Sequence, residues 1–301
     1  MQMTVVTRDF ELPTVLLLVG TYLLWALGTM IWQDSGFLSV MLIAVAVAQF
    51  SSLQHEVLHG HPFRNPLMNE ATVFAALALF IPYRRFRDSH LQHHNDPNLT
   101  DPYDDPESNY LAPHVWARLP GPVRALLRVN NSLLGRMVLG PAISVSVFVV
   151  QEMRHILRGN RVVAQDWALH LIGVGLVLVW LHAVGMPVWA YLVAVYLALA
   201  ILKVRSFLEH RAHEAFRART VIIEDRGPLA LLFLNNNFHV VHHMHPTAPW
   251  YRIPALYRAR KDHYLRRNEG YVYRSYAAVF ARYLFRAKDP VSHPVWPVRR
   301  H

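Results

Sequence analysis

Eight histidines of this chain fall into three short clusters: His55-Glu-Val-Leu-His59, His90-Leu-Gln-His93-His94 and His239-Val-Val-His242-His243. Residues three or four apart share one face of a helix, so each cluster can aim its imidazoles in one direction from a single turn. Imidazole is the commonest protein ligand for transition metals, and a nitrogen donor set without thiolate suits iron, copper, zinc or nickel. The chain has no cysteine, which excludes thiolate sites and disulfides. Eight imidazoles are too many for one four-coordinate zinc, and His210, after the last long apolar stretch, is a ninth candidate. Two metals is the simpler count. His213 lies three residues beyond His210 and competes for the same role, with His210 the preferred ligand.

The clusters need elements to hold them, and composition says where those elements run. At 301 residues, 53% hydrophobic and 17% charged, the chain is more apolar than an average soluble domain, and the excess is concentrated. Residues 12–32 and 36–54 carry no charge, and 167–202 carry none except for a break at Gly185-Met186-Pro187. About 20 apolar residues at about 1.5 Å each cross the roughly 30 Å of a bilayer core. The expectation is therefore an all-α fold: an integral-membrane four-span bundle with a cytoplasmic helical cap that carries the histidine clusters. Its single domain is 1–301, with spans near 12–32, 36–54, 167–184 and 187–203 and a cap formed by 55–166 and 204–301. Residues 71–83 are uncharged but too short to cross, so they lie in the interface or re-enter. Residues 133–150 are apolar but interrupted by Arg136 and Pro141, and read as an interfacial helix.

Charge orients the bundle. Arg84, Arg85, Arg87, Arg118, Arg124, Arg128, Arg258, Arg260, Lys261, Arg266 and Arg267 all fall outside the apolar spans. By the positive-inside rule they put both termini and the histidines on the cytoplasmic side of the inner (plasma) membrane. A net charge of +10 then needs anionic headgroups or an acidic protein partner, and no nucleic acid. Arg8, Asp9 and Glu11 precede the first span and no small-residue cleavage site follows it, so it reads as retained and not as a signal peptide.

The ordered set HEVLH, HLQHH and HVVHH, with apolar spans before the first and between the second and third, resembles the histidine boxes of the integral-membrane fatty acid desaturase and hydroxylase superfamily. That superfamily includes carotenoid ketolases and alkane hydroxylases. The resemblance covers about residues 54–257, and NNNFHVVHHMHPTAPWYRIP is similar to its bacterial branch. YDDPES after the second box is similar to small bacterial enzymes that include desaturases of amino-acid-derived metabolites. The resemblance implies two non-haem irons held by His55, His59, His90, His93, His94, His239, His242 and His243, with His210 as the extra histidine. It implies dioxygen as cosubstrate, membrane lipid and a lipophilic substrate as partners, and a desaturase that introduces a C=C bond into a fatty acyl or similar chain. A hydroxylase or ketolase, or a desaturase of an amino-acid-derived metabolite, is the alternative. No His-Pro-Gly-Gly haem-domain motif occurs, so the expected electron donor is a separate protein such as ferredoxin with its reductase.

The chemistry has its own logic. Breaking an unactivated C–H bond needs an oxidant made from dioxygen, and two reduced irons can supply the electrons that begin to open its O–O bond. Loss of a second hydrogen then gives an alkene, whereas return of a hydroxyl gives an alcohol, and ligand identity does not decide between them.

Other classes compete. HEVLH also matches His-Glu-x-x-His, the zinc metalloprotease motif, with Glu56 as general base; on the desaturase reading Glu56 is instead a carboxylate that orients an imidazole. A metal transporter is a third class, although transporter ligands usually sit near the bilayer midplane. Asp96–Asn109, with Asp101, Asp104, Asp105 and Glu107, reads as solvated turns, the alternative being a loop that gates the site or meets a cationic headgroup. Asn235, Asn236 and Asn237 read as capping residues for the third box, the alternative being that one of them holds a metal-bound water. His61 and His245 read as structural, and His114, His155, His170, His182, His263, His293 and His301 belong to no cluster.

Overall fold

The computed structural model describes residues 10–96 and 98–296; Arg8, Asp9 and His301 lie outside them. The described residues are helical apart from loops and one two-stranded parallel ladder, Ile222–Ile223 against Val272–Tyr273. Five helices have the length and composition to cross a membrane: Leu12–Gln33, Gly36–Leu58, Leu133–Leu157, Arg161–Ala183 and Val188–Ser206. The chain is thus a multi-pass membrane protein by composition, with one more candidate span than the four expected.

The additional helix is Leu133–Leu157, 25 residues without a break. Arg136 does not interrupt it because it sits in the first turn, where its guanidinium bonds Asn130 O at 2.9 Å, Asn131 Oδ1 at 3.3 Å and Asn109 Oδ1. A buried charge with such partners is tolerated. Pro141 is accommodated inside the same helix. Serines start two of the five: Ser35 Oγ accepts from Leu38 N ahead of Gly36–Leu58, and Ser132 Oγ accepts from Gly135 N ahead of Leu133–Leu157. Both are ordinary N-caps.

By Cα proximity the chain forms two compact units. The first comprises the chain up to Arg85 plus Arg161–Ala198. Its polarity is inverted relative to a water-soluble protein. Along Leu12–Met30, Leu16, Val19, Leu23, Leu27 and Met30 are exposed, whereas Thr14, Leu18, Thr21, Trp25, Gly28 and Thr29 are buried. An exposed leucine stripe opposite a buried threonine–glycine stripe suits hydrocarbon as the solvent. Polar groups on the buried stripe of this helix are paired: Trp25 Nε1 donates to Tyr191 Oη at 2.9 Å, and Trp180 Nε1 to Thr29 Oγ1 at 2.9 Å.

Residues 73–82 contain no helix, in keeping with a re-entrant segment. Non-helical backbone at membrane depth survives only where its polar groups are satisfied, and here the apolar helices supply the partners. Tyr22 Oη donates to Thr72 O at 2.8 Å, Tyr191 Oη to Leu77 O at 2.7 Å and His170 Nε2 to Leu79 O at 2.9 Å. Gly173 permits the close approach, since a Cβ there would stand 2.5 Å from Phe74 O.

The second unit comprises Phe86–Asn160 and the chain from Leu199 onward. The short ladder divides its interior. Ile223 packs with Phe207, Leu208, Phe233 and Tyr276 on one side, and Ile222 with Phe238, Val241, Tyr257 and Tyr264 on the other, as alternation along a strand requires. These two aromatic clusters anchor the segments that carry His210 and the third histidine box.

Candidate metal centre

Each box sits at a helix end. The first occupies the last turn of Gly36–Leu58, with His59 at the C-cap position and the rings of His55 and His59 5.0 Å apart. It belongs to the first unit. The second box ends the helix Tyr83–Asn95, and the third is the six-residue helix His239–Met244. Val240 and Val241 face the aromatic core and are fully buried, which leaves His239, His242 and His243 on the other side. His210 stands in an isolated antiparallel bridge with Thr220. The second and third boxes and His210 all belong to the second unit.

There they form two sets. In one, a ring nitrogen from each of His93, His210, His239 and His243 lies within 4.8 Å of the others. Nε2 of His210 is 2.9 Å from Nε2 of His93 and 3.0 Å from that of His239, and His239 is 3.1 Å from His243. In the other, His94 Nε2 is 3.0 Å from His242 Nε2, with the ring of His90 4.7 Å from that of His94.

These distances test whether a metal fits. Nitrogens bound to one ion at about 2.0–2.1 Å are about 2.9 Å apart at right angles and about 3.3 Å apart in a tetrahedron. The observed separations match mutually perpendicular ligands. Hydrogen bonds among the rings cannot account for them all. His93 Nδ1 lies 2.7 Å from Asp105 Oδ1, and His239 Nδ1 lies 3.2 Å from Asn236 Oδ1. His239, held neutral, donates from Nδ1 and keeps only a lone pair on Nε2, so His210 Nε2 can hydrogen-bond with His93 or with His239 but not with both. A bound cation is what such an arrangement accommodates.

The groups behind the rings were not legible as such. Asp105 is buried and grips His93, with Thr100 N donating to its other oxygen at 2.7 Å; Glu107 Oε1 lies 2.7 Å from His90 Nδ1. The reading of Asp105 and Glu107 as solvated turn residues is therefore corrected, although Asp101 does form such a turn through Tyr103 N and Asp104 N. Asn236 hands on a chain of contacts: its Nδ2 donates to Glu209 Oε1 at 2.7 Å, and Glu209 pairs with Arg205 at 3.2 Å. The helix of the third box has no side-chain cap, so the capping role expected of the asparagines is also corrected. Asn235 instead bonds Trp250 O, and Asn237 the carbonyls of Ile223 and Asp225.

Electrostatics follow this layout. Burial opposes charge on His93, but the Asp105 hydrogen bond and the carboxylates of Glu107, Asp105 and Glu209 outweigh it and raise its pKa to about 9. Burial, then the neighbouring His90 and His93, lower His94 to about 3. Burial and adjacent histidines hold His210, His239 and His243 well below the usual value. Most of the set is thus kept neutral, the form that binds metal, and the carboxylates that favour a proton on His93 favour a cation there for the same reason.

Outside the sets, His213 is partly exposed with Nε2 3.7 Å from Glu269. His245 Nε2 lies 3.1 Å from Tyr264 Oη. Glu56 stands in the first unit beside His61, whose Nδ1 is 2.9 Å from Glu11 Oε1 and whose Nε2 is 3.9 Å from Glu56 Oε1.

Comparison with known proteins agrees with this picture. The fatty acid desaturase family model matches residues 32–276, a stretch that takes in all three boxes and His210, whereas a protease built on HEVLH would leave two boxes idle. A beta-carotene ketolase from Paracoccus sp. (strain N81106 / MBIC 01143) is 26% identical over 225 residues, covering 73% of this chain and 74% of the ketolase. With the family matched over most of its length, the chain belongs to the fatty acid desaturase family and is a membrane oxidoreductase.

Proposed function

We propose that the chain is a dioxygen-dependent di-iron enzyme that introduces a C=C bond into a fatty acyl or similarly lipophilic chain. The observation that carries this reading is the convergence of Nε2 atoms in two sets with carboxylates gripping the far side of His90 and His93. His93, His210, His239 and His243 would hold one iron. His90, His94 and His242 would hold the other, with His55 and His59 completing it on the strength of the family's box pattern. The irons, when bound, supply the electrons that open dioxygen. The protein's part is to aim the imidazoles, to keep most of them neutral, and to surround His93 with carboxylates that favour a cation. Asp105 and Glu107 hold ring protons on Nδ1 of His93 and His90, and Asn236 does so for His239. Over the whole reaction the substrate loses two hydrogens, a separate donor such as ferredoxin gives two electrons, solvent gives two protons, and dioxygen leaves as two waters.

The protein is proposed to act as one domain with its histidines on the cytoplasmic side. The 3.0 Å approach of His94 to His242 supports a four-span count. The chain between them must cross an even number of times, yet three candidate helices lie there. Arg161–Ala183 and Val188–Ser206 form a hairpin through Gly185, so Leu133–Leu157 is the one that does not cross. Cysteines placed at Ser108 and Ser275 would then be labelled from the same face.

The ketolase relative favours a second reading, insertion of oxygen at an activated ring or chain carbon. Mass spectrometry of lipids from cells with and without active protein separates the two. Loss of two hydrogens supports desaturation, gain of oxygen supports hydroxylation or ketolation, and turnover with one zinc and no iron overturns both.

A further inference from the structure

The helix Gly121–Asn130 has no buried residue. Val123, Leu126 and Leu127 share one face at three- and four-residue spacing, and Arg124 and Arg128 lie on the other. At Ser132 the chain turns into Leu133–Leu157, and a C-terminal segment runs antiparallel beside the joint. Leu134 N donates to Leu284 O at 3.0 Å, Lys288 N to Asn131 O at 3.1 Å, and Ser132 pairs with Ala287. The joint is tight, since a Cβ at Gly135 would stand 1.8 Å from Val129 O. These elements enclose an open groove of about 640 Å³ lined by Val129, Leu134, Val138, Leu139 and Phe285, with Arg128 at its rim. Phe285 is 78% exposed.

We infer that this groove seats one anionic phospholipid of the bilayer, its acyl chain along Val138 and Leu139 against Phe285 and its phosphate at Arg128. Two observations choose that occupant. The groove takes its floor from Val138 and Leu139 of Leu133–Leu157, with Val138 53% exposed, and that helix is apolar enough for hydrocarbon. Charge is complementary: Arg128 and Arg286 are exposed beside the groove with Arg124 a turn away, and Arg128 stacks on Trp116 with 5.4 Å to the ring centroid. A basic amphipathic helix with an aromatic partner is the pattern of a headgroup-level element. A soluble anion would have no use for the apolar floor, and a neutral lipid none for the arginines.

The test uses the whole protein in nanodiscs of phosphatidylcholine alone or mixed with phosphatidylglycerol, with native mass spectrometry counting the lipids retained. Phosphatidylglycerol should be retained over phosphatidylcholine. At about fivefold per arginine near a membrane surface, Arg124→Gln with Arg128→Gln should reduce that preference by roughly twenty- to thirtyfold. The same loss of two charges at Arg258 and Arg260, outside the groove, should leave it unchanged. Phe285→Ser should weaken retention of both lipids. Equal retention of the two lipids, an unchanged preference in the Arg124/Arg128 variant, or an equal loss in the Arg258/Arg260 control overturns the proposal. Displacement by inorganic phosphate would show a free-anion site instead, and a dimer lost on Phe285→Ser would show that a second copy fills the groove.

Discussion

Among the described residues, the second and third histidine boxes with His210 and the cluster around His61 both hold side chains that could ligate a metal, and they are built in opposite senses. In the first, the imidazoles face inward in two sets, and a carboxylate sits behind one ring of each, on the Nδ1 side of His90 and His93. Around His61 the order is reversed: one imidazole lies between Glu11 and Glu56, so the carboxylates meet the ring from both edges. A carboxylate behind a ring fixes its tautomer and sharpens its lone pair. A carboxylate in front neutralises a protonated ring and makes an ion pair. The first arrangement needs a cation to be complete, whereas in the second a ring proton on His61 Nδ1 already satisfies Glu11.

Removal of an inward imidazole should have the largest effect. His239→Ala is expected to abolish turnover and to lower bound iron from two per chain toward one, measured by metal analysis of protein purified without chelator. His210→Ala should behave alike, whereas His213→Ala, whose ring faces Glu269, should keep both metals. Full metal content in His210→Ala would erase the distinction between the clusters.

Next come the carboxylates behind the rings. Asp105→Asn keeps an oxygen for His93 but removes the charge, and outer partners of this kind typically change metal affinity or activity by about 10–100-fold. A competition titration against a chelator reads this directly. An effect below threefold would mean that Asp105 serves only the loop.

The same residues show what a sequence can disclose. The boxes were readable because spacing of three and four on a helix is a local property. Asp105 reaches His93 from 12 residues away, in a stretch whose prolines and aspartates equally suit an exposed turn, and only the folded loop shows it buried. Glu209 adjoins His210 but acts through Asn236, a link made by packing of the third box against the segment after the last span. Residues 133–150 were readable as a helix, but the unbroken length of Leu133–Leu157 was hidden by Arg136, since a charge reads as an interruption until its asparagine partners are seen. The inverted polarity of Leu12–Met30, by contrast, was foreseeable from its uncharged length.

Glu11→Gln sharpens the contrast from the other side. It removes the charge facing His61 while leaving the inward imidazoles alone, so iron content should not move. Stability should fall by about 1.5–3 kcal/mol, the usual range for a hydrogen bond to a charged group, read as a lower thermal midpoint in detergent. Loss of iron in this variant would mean that the His61 cluster is itself a metal site.

The smallest effect belongs to a third carboxylate, Glu224, which repeats the His61 arrangement nearer water. Lys261 Nζ lies 2.6 Å away and Tyr257 Oη donates at 2.6 Å, and these two bonds, in that order, lower its pKa against a small opposing effect of burial. A carboxyl whose folded pKa lies below its unfolded value stabilises the fold above the unfolded pKa, about 4.3 for glutamate. That contribution is lost as pH falls through the depressed folded value. With Lys261 about half exposed, solvent screening limits the contribution to under about 1 kcal/mol. Between pH 6 and pH 2.5, about the range that spans both values, the wild-type midpoint should therefore fall slightly more than that of Glu224→Gln, and the difference should shrink as salt is added. Equal slopes in the two proteins would show that Lys261 and Tyr257 bind the neutral carboxyl as well as the charged one, and that the pair contributes nothing as an ion pair.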